Sequence, residues 1–211
     1  MTDFIKQLHA YCEAHTTPPG DVLYELERET HLKTLAPQML SGHLQGQFLA
    51  LLSKLMRPQA ILEIGTFTGY AAICLAQGLA ENGVLHTIEA NQELEHFIRK
   101  YIAKAGLEDK IQLHIGRAEH VIPALNLLFD IVFIDAGKQQ NAQFYNLVFN
   151  KVNTGGLIII DNVLWSGKVL SKEEDEDTQA IQAFNRKVHE DPRVENLMLP
   201  VRDGVLIARK L

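Results

Sequence analysis

The chain predicts an α/β fold, a doubly wound Rossmann-like sheet, on three observations. From Ala60 onward, short apolar runs alternate with amphipathic stretches of helical length. The runs are apolar throughout rather than alternately polar, which is the pattern of parallel strands covered by helices on both faces. Two glycines, Gly65 and Gly69, follow the first run, where such a fold turns its backbone into the first crossover helix.

Before the sheet, residues 2–15, 21–35 and 38–56 have helical periodicity, broken by Thr17-Pro18-Pro19-Gly20 and by Pro37. These helices are expected to pack over the sheet or over a partner subunit. Parallel strands are expected at 60–63, 84–89, 111–115, 131–135 and 157–161, with crossover helices such as 70–80 and 92–105. Only Val201-Arg202-Asp203 separates the apolar runs 196–200 and 204–209. That is too short for a parallel crossover, so an antiparallel hairpin at the sheet edge is expected. Lys172 is followed by five acids ending at Asp177. We read this run as a solvated loop whose last acid lies near the positive end of a helix over 178–190. With no repeat or linker, residues 1–211 read as one domain, a helical cap over 1–56 and a core over 57–211.

Composition narrows the function. With 211 residues, 46% hydrophobic and 22% charged, the chain has the makeup of one ordinary domain rather than of a disordered or disulfide-stapled one. Twenty Lys and Arg against 26 Asp and Glu give −6, and there is no basic run, so no nucleic acid partner is expected. Cys12 and Cys74 are far apart and the first ten residues lack a signal pattern, which fits a reducing cytoplasm. No apolar run approaches the ~20 residues of a membrane span, so no membrane partner is expected.

The segment Glu63-Ile-Gly-Thr-Phe-Thr-Gly-Tyr70 sits where a doubly wound sheet takes a nucleotide-type ligand. Glu89 ends the second strand, 20 residues after Gly69, where an acid can accept ribose hydroxyls. A plain strand–helix turn with a capping acid is the alternative. A dinucleotide loop needs a glycine where Phe67 stands, and two carboxylates, Glu63 and Glu89, repel a pyrophosphate. S-adenosylmethionine, with its ammonium, sulfonium and ribose, suits these charges better than NAD. Asp135 ends the fourth strand, and Asp161 with Asn162 ends the fifth. Neighbouring strands lie ~4.8 Å apart, so three oxygen donors converge, a set suited to Mg²⁺, Mn²⁺ or Ca²⁺. Acids at strand ends also cap helices, and both readings stay open on spacing alone. Lys138 reaches the same crevice or is a surface lysine.

Glu63-Ile-Gly-Thr-Phe-Thr-Gly-Tyr70, Phe133-Ile-Asp135-Ala-Gly-Lys138 and Asp161-Asn-Val-Leu-Trp-Ser-Gly167 together resemble the cation-dependent class I O-methyltransferases of the caffeoyl-CoA and catechol type. The resemblance runs from about residue 17 to 211. It implies a seven-stranded sheet with its last strand antiparallel and transfer of a methyl group from S-adenosylmethionine to a catechol-type hydroxyl. It also implies roles. Met39 and Ser41 border the methionine end of the cofactor. Glu63, Gly65, Thr66, Tyr70 and Ala71 hold its amino acid part, and Glu89 takes the ribose. Ala118 and Glu119 flank the adenine. Asp135, Asp161 and Asn162 bind the cation, Asp135 also lying against the cofactor and serving catalysis, and Lys138 is the base. Relatives are commonly homodimers, and the apolar surface of the N-terminal helices agrees with that.

Three departures stand out. Ala71 replaces a frequent serine at the cofactor carboxylate, leaving only its backbone N–H there, while Gly137 replaces a larger residue and Asn141 a frequent tyrosine, which implies a permissive acceptor site. Trp165 is then an aromatic wall for the acceptor or a half-buried structural residue. A nicotinamide-dependent oxidoreductase and a non-catalytic S-adenosylmethionine-binding protein are the rival functions.

Overall fold

The computed structural model describes residues 3–171 and 175–211, with the side chains of Asp3 and Lys138 outside that description. Seven strands form one sheet in the order β3-β2-β1-β4-β5-β7-β6. They are β1 (Ala60–Ile64), β2 (Val84–Glu89), β3 (Ile111–Ile115), β4 (Phe129–Ile134), β5 (Val152–Asp161), β6 (Val194–Leu199) and β7 (Val205–Lys210). The first five are mutually parallel, and β7 runs antiparallel to both β5 and β6. The chain order reverses at β1, between β2 and β4, as expected of a doubly wound sheet. Every residue of β1 is buried, because helices cover both faces.

The helices are α1 (Asp3–Ala14), α2 (Asp21–Lys33), α3 (Gly42–Met56), α4 (Tyr70–Ala76), α5 (Glu95–Lys104), α6 (Ala118–Ala124), α7 (Asn141–Phe149) and α8 (Glu176–His189). Two apolar clusters result. One joins α2, α3, α4 and α5 to one sheet face through Leu26, Leu49, Ile61, Leu75 and Tyr101. The other joins α6, α7 and α8 to the opposite face through Ile122, Tyr145, Val148 and Phe184. The acidic run splits here. Residues 172–174 lie outside the described residues, whereas Asp175 caps α8 by accepting the Thr178 N–H at 2.8 Å, and Asp177 lies in the first turn as expected.

Of the N-terminal helices, α3 and α2 pack on α4, α2 also reaches α5, and α1 rests on α3. A Cβ on Gly46 of α3 would stand 2.6 Å from the Tyr70 ring, so the missing side chain sets how closely α3 approaches α4. Glu29 of α2 accepts from Tyr101 and pairs with Lys100 and Lys33, which hold its carboxyl down to about 2. Thr30 of the same helix bonds Thr68 in the loop after β1 at 3.1 Å. Cap and core therefore share one hydrophobic cluster.

Four predicted elements differ. The helix over 70–80 ends at Ala76, and the one over 92–105 is a 3₁₀ turn at Gln92–Leu94 followed by α5. The helix over 38–56 is a 3₁₀ turn at Pro37–Met39 and a separate α3, because the chain turns extended at Leu40, with ψ 135°, before α3 starts at Gly42. The fifth strand starts at Val152, five residues early. Its Asn153-Thr154-Gly155-Gly156 segment has turn composition, and the pairing with β4 is irregular there.

Candidate active site

Consider first the loop after β1. Gly65 takes φ 96°, and a Cβ on it would lie 1.9 Å from the Asp135 carbonyl oxygen. Glycine is therefore required by the crossing of two backbones as well as by any ligand. The Gly65 and Thr66 N–H groups both bond the Ile88 carbonyl, and Phe67 follows at φ 51°. Glu89 stabilises that turn. Its Oε2 accepts the Phe67 N–H and its Oε1 the Asn91 N–H, both at 2.8 Å.

Glu63 is fully buried. One carboxylate oxygen accepts from Thr87, whose hydroxyl lies 2.5 Å from that of Thr66, while Oε1 has no partner among the described residues. Burial pushes the carboxyl up to about 8, the Thr87 hydroxyl opposes the shift, and the charges of Asp135 and Glu89 add to it. A buried, unpartnered carboxylate oxygen beside two other acids is a place for a cation to bind. That observation fits the ammonium of S-adenosylmethionine.

A cleft in front of this loop is lined by Met39, Ser41, Gly65, Thr66, Tyr70, Ala71 and Asp135, seven of the residues singled out from the sequence. Ser41, Thr66, Tyr70 and Ala71 are buried, whereas Met39 is exposed. A larger cavity of about 180 Å³ lies beyond Leu40 and Ser41, against α1 and α2. Ala118 is buried at the start of α6, and the Glu119 carboxylate is held low by its own backbone and by Arg117 at 2.8 Å.

The second cluster lies at the ends of β4 and β5. Ile134 pairs with Ile160, so Asp135 and Asp161 follow side by side. Asp161 is 5% exposed. Its Oδ2 accepts the Gln45 amide and its Oδ1 the Asn162 N–H, both at 2.8 Å. Burial raises its carboxyl, and the Gln45 and Asn162 bonds and the Arg202 charge pull the other way. Asn162 takes φ 60°, a conformation asparagine tolerates better than most residues. No group of three or more His, Cys, Asp or Glu is placed to hold a metal among the described residues. The set here is two acids and an amide. All three are hard oxygen donors, so the chemistry fits a divalent cation. Lys138 opens the turn after Asp135, but its side chain lies outside the described residues.

The sequence did not reveal Thr87, Gln45 or Arg202. Gln45 lies 116 residues from the acid it bonds.

A sequence profile of the family described as O-methyltransferase matches residues 13–211. The chain belongs to that family. It is a class I S-adenosylmethionine-dependent O-methyltransferase, and the nicotinamide reading falls. Caffeoyl-CoA O-methyltransferase 1 of Eucalyptus globulus is 33% identical over 182 residues, covering 79% of this chain and 73% of the relative. Among solved structures, the SAH-bound methyltransferase PaMTH1 of Podospora anserina superposes with a TM-score of 0.91 at 27% identity, covering 100% and 96% of the two chains. The O-methyltransferase of Bacillus cereus in complex with SAH gives 0.89 at 30% identity, with 97% of each chain covered.

Proposed function

We propose that this O-methyltransferase transfers the sulfonium methyl of S-adenosylmethionine to one hydroxyl of a vicinal aromatic diol, with a divalent cation held by Asp135, Asp161 and Asn162. The observation that carries the reading is the register of β4 and β5, which sets Asp135 beside Asp161 while Asp135 also lines the cleft in front of the glycine loop. The structural neighbours bound to SAH support a cofactor of this kind. A cation at that point would acidify the diol and fix its orientation.

The chain's own residues then have distinct tasks. Glu63 Oε1 accepts the cofactor ammonium. Ser41 and Met39 close over its methionine end, with Thr66, Tyr70 and Ala71 beneath. Glu89 keeps lone pairs for the ribose hydroxyls while bracing the loop, and Ala118 and Glu119 border the adenine. Lys138 accepts the hydroxyl proton. Trp165, half-buried and 5.7 Å from the Lys168 ammonium, walls the acceptor ring.

Gly137 is exposed, so it leaves the acceptor wall open, whereas Asn141 is 2% exposed and acts from beneath it. A homodimer is part of the same proposal. Phe4, Ile5, Leu8 and Tyr11 of α1 are between 46% and 72% exposed, an apolar face a second copy would cover. Incubation with S-adenosylmethionine and a catechol panel tests the function by mass spectrometry. Methylated product is expected, and excess EDTA should abolish it while cofactor affinity is kept. Full turnover in EDTA would refute the cation.

A further inference from the structure

Arg202 lies in the turn between β6 and β7 at φ 50°, a conformation glycine adopts without strain and arginine does not. Its side chain turns inward. Nη1 donates to the Leu40 carbonyl at 2.6 Å, to the Ser41 carbonyl and to Gln45 Oε1 at 3.2 Å, and Nη2 donates to the Gln38 carbonyl at 3.3 Å. A guanidinium only donates, so the Gln45 atom facing it must be the oxygen. The amide nitrogen then points the other way, where it donates to Asp161 Oδ2 at 2.8 Å.

We propose that Arg202 is a positioning residue which, through Gln45, fixes the Asp161 carboxylate for its cation. This rests on the cation reading above. Gln45 is fully buried, so its amide has no solvent to turn toward. A flipped amide would set N–H against guanidinium and oxygen against carboxylate, two repulsive contacts. Arg202 thereby selects the orientation that presents a donor to Asp161. With Oδ1 held by the Asn162 N–H, each carboxylate oxygen has one protein donor and a lone pair left over. That is how outer hydrogen bonds orient a metal ligand. The same turn braces the segment beyond Asn162. The Asp203 carboxylate accepts the Ser166 N–H and its carbonyl the Leu164 N–H at 2.8 Å. One turn thus fixes both the start of α3 and the loop after β5.

Mn²⁺ titration of the full chain without methyl donor, followed by calorimetry well below melting, tests this. Gln45→Met and Arg202→Met should each weaken Mn²⁺ about 10–100-fold. The double variant should be no weaker than Gln45→Met, because Arg202 acts through Gln45. Arg202→Lys, which keeps a donor-only cation facing Oε1, should recover part of the loss. A purely structural role would lower the melting temperature of the variants and leave their Mn²⁺ affinity alone. Wild-type affinity in the single variants, losses that add in the double, or no recovery in Arg202→Lys would overturn the proposal. Should Gln45→Met fail to fold, Arg202→Met against Arg202→Lys decides. A wild-type chain that takes up no Mn²⁺ overturns the cation reading itself, and needs no variant to show it.

Discussion

Glu89→Ala removes two hydrogen-bond acceptors at once, one from the Phe67 N–H and one from the Asn91 N–H, each at 2.8 Å. A bond to a charged acceptor contributes about 1.5–3 kcal/mol. Glu89 is half-buried, so water takes over part of each bond and about 1 kcal/mol apiece is appropriate. The expected loss of about 2 kcal/mol corresponds to about 4–8 °C in Tm for a chain of this length. The loop also loses the bond that holds Phe67 at φ 51°. Cofactor affinity falls independently, since ribose hydroxyls without a charged acceptor cost about 1–3 kcal/mol, or roughly 5–150-fold in Kd. Calorimetry on one preparation reads both quantities, Tm without ligand and Kd with S-adenosylmethionine. Glu89→Gln separates them: the amide oxygen keeps one N–H partner, so Tm should fall less than in alanine while affinity still drops. A lowered Tm with unchanged affinity would leave Glu89 as a loop brace and refute the ribose contact. Wild-type values of both would refute the whole account.

Burial holds the Glu63 carboxyl at about 8 against an ordinary 4.5. Between those values the folded chain binds one proton more than the unfolded chain, so stability should fall as pH rises through that window and level off above it. Denaturant unfolding at a series of pH values should show that slope, and Glu63→Gln should lose it; an unchanged slope in the variant would refute the assignment. Light scattering at micromolar concentration should give a dimer, and Phe4→Glu with Leu8→Glu should give a monomer of normal fold. A monomeric wild type would refute the covered face. Values of kcat/KM for small and bulky catechols should lie within about 10–200-fold, the discrimination a hydrophobic wall supplies. A sharper preference would refute the open acceptor wall.

The legible parts of this molecule are those whose cause is local. Strands buried on both faces are apolar along their length, so most are legible within a few residues. The acids at or beside the carboxyl ends of β1, β2, β4 and β5, Glu63, Glu89, Asp135 and Asp161, stand at positions that the topology alone marks as ligand-facing. Gly65 is legible as a turn into the first crossover helix, and the structure adds a second cause, the Asp135 carbonyl oxygen standing where its Cβ would go. Gln45, Thr87 and Arg202 left no local signal. A polar residue inside a helix, a strand or a turn reads as solvated until the neighbouring element is known. Their partners lie 116, 24 and 157 residues away. What decides Gln45 is how closely α3 seats against its neighbours, and its approach to α4 is set next door at Gly46, where a Cβ would meet the Tyr70 ring. In the sequence Gly46 is only a weak point in a helix. In the fold it is the reason α3 packs closely on α4, with the Gln45 amide seated against the Asp161 carboxylate.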